Sequence, residues 1–165
     1  MTKVVALFLC VCLVLSGCGF FANRMMEPVT FYYLEKEFQY GNNPSLIVSE
    51  EREASGHRND LSYLLALYLM GPAEEEHRSP LLPGTRVLKA EQNNGIITLE
   101  LVNPAYAYSD LELSLACACL TLTCLDITDA SQVNITYQDR TIVMTKDSIT
   151  LFDDSSTEEM ITEES

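Results

Sequence analysis

Cys117, Cys119 and Cys124 are the residues whose type and spacing most invite chemistry. A thiolate can bind a metal, attack an electrophile or pair with a second cysteine. The segment around them reads as helix, which puts Cys117 and Cys124 on one face. They stand two turns apart, about 10 Å at 1.5 Å per residue, too far for a disulfide within one straight helix. Cys119 points elsewhere. Zinc wants about four converging ligands at spacings such as C-x-x-C, and C-x-C on a helix does not converge. The pattern suits small apolar core residues, with an intermolecular disulfide as the alternative. His57 and His77 lie in polar stretches outside any H-E-x-x-H motif, which predicts solvated surface histidines. Glu50-Glu51 and Glu74-Glu75-Glu76 offer carboxylates but read as solvated loops, and nothing selects two of them for a glycosidase pair. The chain has no G-x-S-x-G elbow, phosphate-binding loop or dinucleotide glycine pattern. These readings predict no catalytic residue, no metal ligand and no cofactor site, so not an enzyme.

The other cysteine that bears on function is Cys18. It closes Leu15-Ser16-Gly17-Cys18, behind the uncharged apolar run Val4 to Leu15, with Lys3 before it. The run is shorter than the roughly 20 residues of a membrane span and has the anatomy of a cleaved signal. Ser16 and Gly17 offer a peptidase little bulk. The tetrapeptide resembles the lipobox of bacterial lipoproteins, which implies a diacylglyceryl thioether on Cys18. Two acyl chains, at about 0.8 kcal/mol per buried methylene, anchor stably where one binds transiently. The expected address is the outer face of a cell membrane, with Cys18 the lipidation site. A plain secretory signal ending in a chance cysteine is the alternative.

Cleavage before Cys18 leaves 148 of the 165 residues, a length that suits one domain with its own core. The formal net charge of −14 would repel phosphate backbones, so nucleic acid is a poor partner. Anionic headgroups would repel it too, so the anchor must hold the protein at the membrane. With Cys10 and Cys12 in the signal and Cys18 lipidated, three cysteines remain, an odd number that makes a poor disulfide framework.

The elements that must position these residues follow in order. Gly19 to Pro28 reads as a tether, whose Phe20, Phe21, Met25 and Met26 could rest on the bilayer. Val29 to Leu34 and Ser45 to Ser49 read as strands, joined through the turn residues Gly41 to Pro44. Glu50 to Arg58 reads as loop or a frayed approach to a helix. Asn59 or Asp60 caps that helix, which carries Leu61, Leu64, Leu65, Tyr68 and Leu69 at helical spacing and stops at Gly71-Pro72. Ala73 to Ser79 reads as a charged loop. Thr85 to Glu91 and Ile96 to Val102 flank Asn94-Gly95, a pair that suits a tight hairpin turn. A second helix starts at Ser109 or Asp110 and runs to about Leu125, with Leu113, Ala116, Cys117, Leu120 and Cys124 on one face. Val133, Ile135 and Tyr137 alternate along a strand, Gln138 to Arg140 turns the chain, and Thr141 to Met144 returns. From Asp153 the tail carries six acids and no base, which predicts disorder.

Several of these stretches resemble the GerMN domain of sporulation and spore-germination lipoproteins. Leu64 to Pro72 (LLALYLMGP) is similar to that family's helix ending in Gly-Pro. Pro80 to Val87 (PLLPGTRV) is similar to its Leu-Pro-x-Gly-Thr connection, and Gly95 to Leu101 (GIITLEL) to its Gly-x-x-x-Val-Asp-Leu strand. Leu115 to Thr123 stands where the family has a helix with a Thr-Leu pair. Val133 to Tyr137 resembles the strand that follows. Glu100, Asn103-Pro104-Ala105 and Asp139-Arg140 depart from the pattern. The resemblance implies an α+β fold, a small, largely antiparallel sheet with two helices packed on one face, like the ring-building domains of secretion and sporulation assemblies. It also implies binding to other proteins without chemistry.

The expected organisation is a signal peptide over 1–17, a tether over 18–28, a GerMN-like domain over 29–152 and an acidic tail over 153–165. The expected function is a lipid-anchored scaffold in sporulation, germination or envelope assembly, with protein partners and a possible homo-oligomer. The alternative is a lipoprotein that binds a cell-wall glycan or small ligand and regulates a membrane sensor. For that role Tyr32, Tyr33, Tyr40, Tyr63, Tyr106 and Tyr108 are candidate stacking surfaces.

Overall fold

A computed structural model describes residues 28–37, 45–54 and 56–149. The lipobox with Cys18, the tether up to residue 27, Tyr40 and the acidic tail lie outside the described residues.

Alternation builds the strands. β1 (Pro28–Glu35) turns Val29, Phe31 and Tyr33 into the core. It sits between β2 (Ile47–Glu53) and β3 (His77–Arg78), antiparallel to both. The second sheet has the order β4 (Arg86–Asn93), β5 (Ile96–Val102), β6 (Gln132–Tyr137), β7 (Arg140–Met144). Ile97, Leu99 and Leu101 of β5 and Val133, Ile135 and Tyr137 of β6 are its inward residues. β4–β5 and β6–β7 are antiparallel hairpins, while β5 and β6 run parallel. A parallel pair needs a crossover, and the helix α2 (Asp110–Ile127) supplies it.

The class is α+β, with two helices and two mostly antiparallel sheets among the described residues. The expectation of one small sheet is thereby refined. α2 packs on β1 and also on β6 and β7, so it lies between strands of both sheets. A single cluster joins Phe31 and Tyr33 of the first sheet to Leu99 and Ile135 of the second through Ala116, Cys117 and Leu120. The predicted face of α2 is buried, but so are Cys119, Thr121 and Thr123. Helices that are covered all round carry no amphipathic signature.

The helix ends follow their side chains. Asp60 caps α1 (Leu61–Leu69) by accepting the Tyr63 N–H, and Ser109 caps α2 in a reciprocal box with Glu112. The β4–β5 turn uses Asn94 and Gly95, both at positive φ (52° and 74°), which matches the twist of a two-residue hairpin.

Two elements differ from expectation. β2 continues through Glu50 to Glu53, where the sequence reads as loop, because its backbone pairs in register with β1 from Leu34↔Ile47 to Pro28↔Glu53. The charged loop after α1 holds β3, whose His77 and Arg78 pair with Glu35 and Leu34. Both stretches are charge-rich, and side-chain pattern does not report a ladder that the backbone makes.

Candidate functional site

The densest group of chemistry-bearing side chains among the described residues is Glu50, Arg52 and His77. Glu50 is turned inward from β2 and its side chain is only 4% exposed. Its carboxylate accepts the backbone N–H groups of Ala73 (3.0 and 3.1 Å) and Glu74 (3.1 Å). The His77 Nδ1 lies 3.4 Å from Oε2, and the Arg52 Nε 3.7 Å from Oε1. Arg52 in turn donates to the Gly71 carbonyl at 2.9 Å and lies over the Phe31 ring. The Tyr33 hydroxyl donates to that same carbonyl at 3.3 Å. Every atom of the carboxylate is thus occupied by protein donors, and the group ties the turn after α1 to the first sheet. Buried charge tolerates this only because it is paired and hydrogen-bonded. The expectation of solvated loops fails for Glu50 and His77, since the β2 ladder and the Glu35↔His77 pair draw both inward. His57 is half exposed, as expected, and stacks on Tyr63 at 4.2 Å.

The thiols are free and buried. Burial pushes Cys117, Cys119 and Cys124 each up to about 12. At neutral pH they are protonated and serve as small apolar filling. Among the described residues no group of three or more His, Cys, Asp or Glu could hold a metal.

Most of the described tyrosines are buried or half-buried. Tyr33 and Tyr68 stack at 5.0 Å inside the core, with Phe31 edge-on to both. Tyr108 sits edge-on to Tyr137 and bonds Thr85 and the Leu82 N–H through its hydroxyl. Only Tyr106, among the described tyrosines, is largely exposed.

A cavity of about 530 Å³ opens where the loop before α1, the tip of β4 and the end of α2 meet. Arg58, Leu61, Gln92, Ile127 and Asp129 are among its walls. The sequence singles out none of these residues as a binding group. Arg58 stands in a polar run without a motif, and nothing local brings it to the far end of a helix nearly 70 positions later. The sequence marks Asn103 only as a departure from the GerMN pattern. It is nearly buried, donates to Pro83 O and Thr85 Oγ1, and accepts the N–H groups of Ala105 and Tyr106. Its Asn-Pro sequence is the available signal of such a side-chain-closed turn.

The four-stranded sheet turns its other face outward. Lys89, Glu91, Thr98, Glu100, Asn134 and Thr141 are on it, with the exposed Val143 beside Asn134.

No family model matches this chain, and no curated protein matches it. Among solved structures it is similar to a putative lipoprotein from Clostridium perfringens, at 17% identity and a TM-score of 0.46, over 78% of this chain and 94% of that one. It is also similar to the tandem GerMN domains of the sporulation protein GerM from Bacillus subtilis, at 16% identity and a TM-score of 0.46. That match covers 69% of this chain and 39% of the other.

Proposed function

We propose that the protein is a lipid-anchored module on the outer face of a cell membrane that engages a protein partner and catalyses nothing. The observation that carries this reading is Leu15-Ser16-Gly17-Cys18 behind an apolar run too short to span. Among the described residues no helix is long and apolar enough to cross a membrane. In this reading the acyl chains on Cys18 supply the attachment. The described thiols are sealed in the core, and the Glu50 carboxylate is filled by backbone donors. The work of such a protein lies on its surface, and the outward face of the four-stranded sheet, mostly polar with Val143 exposed on it, is the platform in this reading. A role in sporulation, germination or envelope assembly follows from the motif resemblance.

The test replaces Cys18 with serine and feeds cells a palmitate analogue. The intact protein takes up label and fractionates with membranes, and Cys18→Ser does neither. Equal membrane retention of the two without label overturns the anchor. Crosslinking on intact cells then recovers a protein partner from the labelled form; recovery of none at any growth stage overturns the scaffold role.

The alternative reading, a ligand-binding lipoprotein, draws on the Arg58 cavity and not on the tyrosines. Co-sedimentation with peptidoglycan separates a glycan binder from a scaffold.

A further inference from the structure

A sheet is open where its outermost strand has no neighbour, and proteins blunt such edges with charge, bulges or brevity. Three of the four outer strands are blunted in this way. β2 carries Glu50, Glu51, Arg52 and Glu53. β3 is two residues long. β4 shifts register between Val87 and Lys89 and has charges along it. β7 has none of these devices. The chain from Thr141 to Thr145 is uncharged and free of proline and glycine, and Thr141, Ile142 and Val143 are β-branched strand formers.

Pairing with β6 decides which backbone groups β7 has left over. The turn between them is two residues long, so Tyr137↔Arg140 is a hydrogen-bonded pair and Thr136↔Thr141 is not. The 3.0 Å approach of the Thr136 and Thr141 hydroxyls agrees, since side chains lie closer in non-bonded pairs. This alternation turns the N–H and C=O of Thr141 and Val143 away from β6, toward the open edge. Neither backbone makes a further bond among the described residues. The next outward N–H, that of Thr145, is taken by the Ser148 hydroxyl at 3.1 Å. The open stretch therefore runs from Thr141 to Val143. Ile142, on the inward side of β7, is only half-buried there, whereas its partner Ile135 on β6 is fully buried.

These groups are their own complement. A second β7, set antiparallel about a twofold axis at Ile142, places its Val143 opposite Thr141 and its Thr141 opposite Val143. Each of these is a hydrogen-bonded pair, so the open N–H and C=O groups of both strands are all used. Ile142 then meets Ile142 of the second copy and covers the apolar surface that the edge leaves bare. The uncharged stretch sets no acid against acid, which matters between two chains of net charge −14. The same operation on β2 would set Glu50 on Glu50.

We propose that β7 is a self-pairing edge, which joins the four-stranded sheets of two copies of this chain into one continuous sheet. The pairing needs neither the lipid anchor nor a different partner, so their failure leaves it standing and its own failure leaves them.

The test is disulfide trapping of the full-length protein in detergent under mild oxidation, with the wild type as baseline. A non-bonded antiparallel pair brings its Cα atoms to about 4.5 Å, within the span of a disulfide. Ile142→Cys is therefore expected to give a covalent dimer. Thr141→Cys and Val143→Cys should each give little alone and a dimer when mixed, since only the mixture sets the two thiols opposite each other. Val143→Pro removes an N–H that the β6 ladder does not use, so the fold is expected to persist. In sedimentation it should raise the dissociation constant of the dimer on the order of tenfold. Thermal melts establish that each variant is folded; where Val143→Pro is not, Val143→Lys replaces it, a charge on the same edge. No dimer from folded Ile142→Cys overturns the proposal. So does trapping of Val143→Cys alone as readily as Ile142→Cys, or unchanged association in the folded edge variants. Two other occupants are outcomes that overturn it as well: a different protein captured by Ile142→Cys in isolated membranes in place of the dimer, or a dimer that forms only after residues 150–165 are removed.

Discussion

The Thr123 hydroxyl, deep within α2, accepts the backbone N–H of Tyr32 at 3.0 Å. From the other direction the Tyr68 hydroxyl donates to the Tyr32 carbonyl at 2.9 Å. β1 pairs with β3 only at Leu34 and Glu35, so Tyr32 lies beyond that short ladder. Two helix side chains complete it. An unpaired strand edge is a template for unwanted pairing, and here it is closed from within the core.

Thr123→Val keeps the shape and removes the acceptor, leaving a buried N–H unmade. Urea unfolding should show a loss of about 1–3 kcal/mol. Thr121 is the matched control, since its buried hydroxyl has no partner among the described residues. Thr121→Val should be neutral or stabilising, because it removes a polar group that makes no bond.

Glu50→Gln replaces one acceptor oxygen by a donor opposite the Ala73 and Glu74 N–H groups. The expected cost is about 1–3 kcal/mol by urea unfolding. Hydrogen exchange should also quicken at Ala73 and Glu74 while amides of β5 and β6 stay protected.

The thiols should be silent to a disulfide reagent at pH 8 in the native protein, and Cys117, Cys119 and Cys124 should all react once it is unfolded. Their folded pKa values, about 12, lie above the ordinary value of 9.0. From about pH 9 upward the unfolded chain therefore loses protons that the native chain keeps. Stability is fully present below that pH and declines toward pH 12, by up to roughly 1.4 kcal/mol per pH unit for each thiol. Burial raises Tyr33 to about 12 as well, with the same sign. Urea midpoints measured from pH 7 to 11 check the slope.

Gly95→Ala places a side chain at a φ of 74° in the two-residue turn between β4 and β5. A loss of about 1–2 kcal/mol is expected, read from the thermal midpoint.

Much of the fold was legible because its signals are local. Asn94-Gly95 dictates a turn whose φ values are met. Ser109 and Asp60, each one of two cap candidates in the sequence, are the caps that the structure uses. Glu50 was not legible, because its burial depends on amides more than twenty positions away that become neighbours only when β2 pairs with β1. The burial of α2 all round from Ala116 to Cys124 was hidden for another reason. Cys119, Thr121 and Thr123 fall outside the face that the spacing picks out, and only the presence of both sheets covers them. Arg58 combines the two difficulties, with no local pattern and a distant helix end as its partner.

The parallel seam between β5 and β6 also sets an order in time. Each hairpin closes through a loop of two residues, whereas Ile96 meets Gln132 only after the intervening chain has looped back. Short loops close fast and distant pairings late, so the seam forms after either of its flanking hairpins. Substitutions along Leu99 and Ile135 should slow refolding, while changes at Asn94 act mainly on how soon one hairpin appears.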